Sequence, residues 1–168
     1  MNRFLSLSSE QKVVFFIGIA ERIIPLIKVD EHMFIAKEAI NCCWCQIINR
    51  KYNGEVLYNY IDNEENGISI FAELCNDEIE SAVWNCIIDA IAFTSRYSYD
   101  KEKVKFYPEP ISLVDDELVE HMISCYSKCF VDNKYIEKLI DILLLDCSCN
   151  IQKLKDNIEI LVINFTNT

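Results

Sequence analysis

Two histidines, nine cysteines and twenty-seven carboxylates are the residues with which this 168-residue chain could do chemistry. Acid–base and nucleophilic catalysis most often recruit a histidine, so His32 and His121 are the first test. Neither stands beside a serine, cysteine or carboxylate in a triad-like pattern, and no nucleophile elbow or phosphate-cradling glycine loop occurs. His32 opens a helical pattern and His121 lies within one, at the surface. Carboxylate pairs are plentiful, but they catalyse only in a cleft that separates their pKa values. The expectation is a protein that is not an enzyme, with no catalytic residues and no cofactor.

Metal chemistry has two candidate sites. Cys42-Cys43-Trp44-Cys45 contains a C-x-x-C, and Cys125 and Cys129 stand one helical turn apart, so four thiolates could surround zinc. Both groups fall mid-helix among apolar residues, without the turn of a zinc knuckle, and read as packed thiols. An odd cysteine count inside helical patterns fits reduced thiols in a cytoplasm, and Cys147 and Cys149 at a helix junction are the ones expected to be oxidisable. The second candidate runs from Asp62 to Glu73, where Asp62, Glu64, Asn66, Gly67 and Glu73 occupy positions one, three, five, six and twelve of an EF-hand loop. Glu64 is a methylene too long and Ser69 replaces the usual apolar residue. A polar turn, with Gly67 supplying a special backbone angle, is the favoured reading; a calcium- or metal-responsive helical module is the alternative.

Charge is the stronger signal. Tyr52 to Ser95 contains no Lys or Arg, and Tyr60 to Glu120 holds fifteen acids against four bases. That balance equals the net charge of the whole chain, −11, so the remainder is neutral. An excess confined to one third of the chain points to a basic partner, and a pI near 4.6 excludes direct binding to nucleic acid.

These residues must be positioned by helices, because three Gly and three Pro leave few breaks. Ser8 and Gln11 form a capping-box pattern for a helix to about Ile24, where Pro25 ends or kinks it. Its apolar run Val13–Ala20 is too short for a bilayer, and no secretory leader or membrane span is expected. Asp30 caps a helix from Glu31 to about Arg50, and Glu55–Ile61 forms a short one after Asn53-Gly54. Ile68–Cys75 alternates like a strand but favours a short helix. From Asn76 or Asp77 to about Ser98, Ile79, Val83, Cys86, Ile87, Ala90 and Thr94 form one apolar stripe, and Trp84, Ile88 and Ile91 a second. A helix apolar on two sides is central, and Asn85 and Asp89 at its edge need partners. Lys101–Val114 is a loop held extended by Pro108 and Pro110. Helices then run from Asp115 or Asp116 to about Phe130, from Asp132 to about Asp146, and from Asn150 to about Phe165. The fold class is all-α: a single-domain bundle of six to eight helices spanning residues 1–168.

The order of several motifs resembles a known family. They are Ala39-Ile40-Asn41-Cys42-Cys43-Trp44, Leu57-Tyr58-Asn59-Tyr60-Ile61-Asp62, Asn66-Gly67, and Ala82-Val83-Trp84-Asn85-Cys86-Ile87-Ile88-Asp89-Ala90-Ile91. Tyr107-Pro108-Glu109-Pro110-Ile111 and Val114-Asp115-Asp116 complete the set. Over roughly residues 30 to 125 the chain resembles the sixth immunity-protein family of bacterial polymorphic toxin systems. The resemblance implies a small cytoplasmic all-α inhibitor, without enzymatic activity, that neutralises a cognate toxin in the producing cell and its kin. It does not fix the toxin.

Charge adds a direction. A nuclease cleft lined with Lys and Arg accepts an acidic cover, so the expected partner is a basic, RNase-like toxin domain. The expected contact residues are Asp62, Glu64, Glu65, Asp77, Glu78, Asp115, Asp116 and Glu117, with Tyr58, Tyr60, Tyr97 and Tyr99 as aromatic anchors. Trp44 and Trp84 are assigned to the core, and the oligomeric state stays open.

Overall fold

The computed structural model describes residues 2–65, 67–146 and 150–166. Ten α-helices occur there and no strand: α1 (Asn2–Leu5), α2 (Ser9–Ile23), α3 (Asp30–Asn49), α4 (Gly54–Ile61), α5 (Ile68–Leu74), α6 (Glu78–Glu102), α7 (Glu109–Ser112), α8 (Leu118–Cys129), α9 (Lys134–Leu145) and α10 (Ile151–Thr166). Eight of the ten have seven or more residues, and the other two are single turns. Cys147 and Cys149 lie outside the described residues, as does Asn66.

Helix α6, 25 residues and thus about 37 Å long, is the axis of the fold. It packs against α2, α3, α4, α5, α7 and α8, which is why it carries apolar residues on more than one side. The N-cap is Asp77, whose carboxylate accepts from the Glu80 amide at 2.9 Å. Small residues let neighbours approach closely. Ser95 Oγ donates to the Gly54 carbonyl at 2.7 Å, and a Cβ on Gly54 would stand 2.7 Å from the Tyr99 ring. The start of α4 is therefore pressed onto the C-terminal half of α6, and only glycine fits.

Helix α2 forms the second layer, with Val13 to Ala20 all buried. One side packs on α6 and the other on α9 and α10, which themselves pack together. The Ser8 capping box starts α2, and a single 3-10 turn over Ile24–Leu26, with Pro25 inside, ends it. Trp44 and Trp84 are each 1% exposed, as their apolar stripes required. The indole of Trp44 donates to Glu21 at 2.7 Å, and burial holds that carboxyl above its ordinary pKa.

Several expectations need correction. Asp30 does not cap α3: Val29 takes the cap position without a side-chain bond, and Asp30 is the first helical residue. Helix α6 runs four residues beyond Ser98, because Tyr99 buries itself there and its ring packs on Tyr107. Ile79, expected in the inward stripe, is 52% exposed one turn before the buried section begins. The Lys101–Val114 loop includes α7, in which Pro110 needs no amide partner because it sits in the first turn. Gly67 has φ −64°, an ordinary value. Its necessity is steric, since a Cβ there would lie 2.6 Å from the Asn63 amide and the Ile61 carbonyl oxygen.

Candidate functional site

The predicted contact residues fall into two regions, both referred to α6. The first surrounds α5. Asp62 closes α4, and its carboxylate accepts from the Tyr58 hydroxyl at 2.6 Å. Glu64 and Glu65 are exposed in the following turn, which Asn63 shapes by accepting the Glu65 amide at 2.9 Å. The Gly67 amide donates to the Asn63 carbonyl at 2.9 Å and closes the turn, so α5 begins at once. Helix α5 spans only about 10 Å; Glu73 is in its last turn and Asp77 and Glu78 stand beyond it, all exposed. Leu74, on the same stretch, is 73% exposed.

Among the described residues, two cations pair with this group. Lys28 Nζ lies 3.8 Å from Asp77 and Lys128 Nζ 3.1 Å from Glu78, both on long exposed side chains. Exposed pairs of this kind are held weakly and screened by salt. The amide of Glu80 and, less strongly, Lys28 keep the Asp77 carboxyl below the usual range.

The second region is the loop before α8, holding Asp115, Asp116 and Glu117. Arg96 on α6 fixes it by donating from Nη1 to the carbonyls of Ile111, Ser112 and Val114. Arg96 is 18 residues along α6 from Glu78, a rise of about 27 Å between those two positions. Asp116 accepts from Lys12 Nζ at 2.6 Å, and Asp115 folds back to accept the Glu117 amide at 2.8 Å. Lys12, Arg96 and Lys101 share a groove of about 750 Å³ with these acids. This region is a mixture of both signs. The acids of the sequence window thus do not form one face.

The tyrosines divide as well. Tyr58 is half-buried beside the α5 region, its phenol pushed up to about 12 by burial and by the bond to Asp62. Tyr60 donates to Glu38 at 3.3 Å and touches the Cys42 sulfur at 3.4 Å. Tyr97 donates to Glu10 at 2.9 Å, next to the mixed groove. Tyr99 is 6% exposed and has no free ring face to offer a partner, a correction to its expected role.

An EF-hand loop keeps its first nine residues out of helix, whereas α5 starts at the seventh position and places Glu73 in its last turn. Cys42 and Cys43 pack towards Tyr60 and Thr94, away from Cys125 and Cys129 on α8. Among the described residues no group of three or more His, Cys, Asp or Glu is placed to hold a metal ion.

Sequence reading missed one constellation. His121 is bonded to the buried Asp89 and lies next to Cys125, a carboxylate–imidazole–thiol series across α6 and α8. Its only signals were the i,i+4 spacing of His121 and Cys125 and the need of Asp89 for a partner.

Comparison with known families gives one match. The family model described as immunity protein Imm6 matches residues 11–129, the span from α2 through α8 that contains α6 and both acidic regions. No curated protein and no solved structure gives a match.

Proposed function

The chain belongs to the immunity protein Imm6 family, and from that premise we propose that it neutralises its cognate toxin by laying the acidic face around α5 over a cationic substrate-binding surface. Family membership makes the role one of immunity towards a toxin. The nuclease character of the toxin and the choice of face are the parts proposed.

One observation carries the choice of face. Asp62, Glu64, Glu65, Asp77 and Glu78 gather at the two ends of a two-turn helix, and among the described residues two exposed lysines form ion pairs with them. Such a field attracts a basic partner from a distance and raises the association rate. Leu74 supplies an apolar centre with the acids as its rim, the usual arrangement of a protein interface. A phosphate-binding cleft is the surface that this charge fits best, so the toxin is proposed to be an RNase or DNase. The protein acts on the toxin by covering that cleft in the cytoplasm, through binding alone. No helix among the described residues is long and apolar enough to cross a membrane.

The test is co-expression with the toxin domain encoded beside this protein, then co-purification at about 50 mM and about 500 mM salt. A complex that weakens with salt, and a freed partner that cleaves RNA or DNA, support the reading. A toxin whose contact surface is acidic, or a complex that ignores salt, overturns it.

A further inference from the structure

Asp89, His121 and Cys125 stand in line across the α6–α8 contact. Asp89 is 5% exposed on α6, and its Oδ2 lies 2.7 Å from His121 Nδ1. The other ring nitrogen, Nε2, lies 3.7 Å from the Cys125 sulfur one helical turn further along α8. Behind Cys125 is Cys86 of α6, buried, whose thiol donates to the Met122 carbonyl at 3.6 Å and whose sulfur neighbours that of Cys125. A carboxylate that orients an imidazole, which in turn faces a thiol, is the arrangement that activates sulfur nucleophiles.

We propose that Asp89, His121 and Cys125 form a reactive-thiol site for hydroperoxides, with Cys86 as the resolving thiol that closes a disulfide between α6 and α8. The site lies on other residues than the α5 face and does not depend on the toxin's identity. In the first step the Cys125 thiolate attacks the peroxide, the O–O bond breaks, and Cys125 becomes a sulfenic acid as the leaving hydroxide takes up a proton to become water. In the second, Cys86 gives up its proton and attacks the Cys125 sulfur, releasing a second water as the S–S bond forms. Two thiols are oxidised by two electrons, and the peroxide is reduced.

The surroundings favour these roles. The neighbouring Cys86 thiol, able to turn its hydrogen towards a thiolate, brings the Cys125 thiol down to about 7 against the opposing effect of burial, and the His121 charge assists. Cys86, beside Cys125 and deeply buried, is pushed well up and stays a thiol until attacked. Burial alone would lower the pKa of His121, but the Asp89 carboxylate more than offsets it, and the net direction is up. Lys128 and Cys129, both on α8, are the other titratable groups that reach the cluster, and Lys128 adds positive charge that favours the thiolate. Cys125 is 5% exposed and lies beside the half-exposed His121 ring, the side from which a small reagent reaches the sulfur. Asp89 is a positioning residue, acting through His121.

The experiment treats the full chain with hydrogen peroxide and maps each cysteine by mass spectrometry, with and without dimedone as a sulfenic-acid trap. Cys125 should oxidise at least about tenfold faster than Cys45 or Cys75, which are more exposed, and end in a disulfide with Cys86. Cys86→Ser should leave the sulfenic acid, seen as a dimedone adduct. His121→Gln should slow the reaction about tenfold at pH 7 and move its pH profile upward, a change that a structural role alone would not produce. Equal rates at all cysteines in the folded wild type, a disulfide to Cys129 in place of Cys86, or an unmoved pH profile in a folded His121→Gln overturns the proposal.

Discussion

The α5 region and the loop before α8 have the same kinds of residues and come from one acidic stretch of sequence, yet they are electrostatically different. Around α5 the acids face solvent, and the bases paired with them among the described residues are Lys28 and Lys128 on extended arms. At Asp115–Glu117 the fold brings in Lys12 from α2, and Arg96 and Lys101 from α6, and Asp115 and Asp116 are spent on internal bonds. Net charge along a chain therefore marks a stretch, and only the packing decides which part of that stretch has a field to offer.

The largest effect should come from reversing that field. Replacing Asp62, Glu64, Glu65, Asp77 and Glu78 together by Lys is expected to weaken the toxin complex by about 10³-fold, mainly through slower association. The same treatment of Asp115, Asp116 and Glu117 should change it by less than about tenfold. Surface plasmon resonance at low salt measures both, and equal losses would remove the distinction.

Next is the turn that presents the acids. Gly67→Ala forces a Cβ into backbone atoms at 2.6 Å and should cost about 2 kcal/mol, read as a lower denaturation midpoint. An unchanged midpoint would mean that the turn opens freely and does not hold Glu64 and Glu65 in place.

Smaller still is the cap. Asp77→Ala removes the acceptor of the Glu80 amide and should cost about 1 kcal/mol, whereas Glu117→Ala, whose side chain caps nothing in α8, should stay within about 0.5 kcal/mol. Chemical denaturation of both variants sharpens the comparison, since one acid serves its helix and the other does not.

The last comparison concerns Asp89, which belongs to neither region. Burial raises its pKa to about 6, with His121 opposing, so the folded state holds its proton more tightly than the unfolded state. His121 is also raised, and its contribution is complete below about 6.5 and lost as pH climbs through the folded value. Both groups make stability fall as pH rises. The difference in stability between wild type and Asp89→Asn should therefore shrink from about pH 4 to about pH 8, as calorimetry would record. A difference that grows with pH would reverse the assignment.

What the sequence determined is local. The Ser8–Gln11 box, the Asp77 cap, the burial of Val13 to Ala20 and the two-sided α6 all follow from hydrogen bonding and helical period within a few residues. Those signals are written in short spacings, and the all-α class follows from them. Tertiary structure alone decided the rest. Tyr99 turned inward because α4 starts against it, and Gly67 is needed because two backbone strands of the same turn meet there. Asp89 found His121 across 32 residues of sequence, and Lys12 found Asp116 across 104. Such pairings depend on which helices cross and at what register, and no spacing along a single chain encodes that.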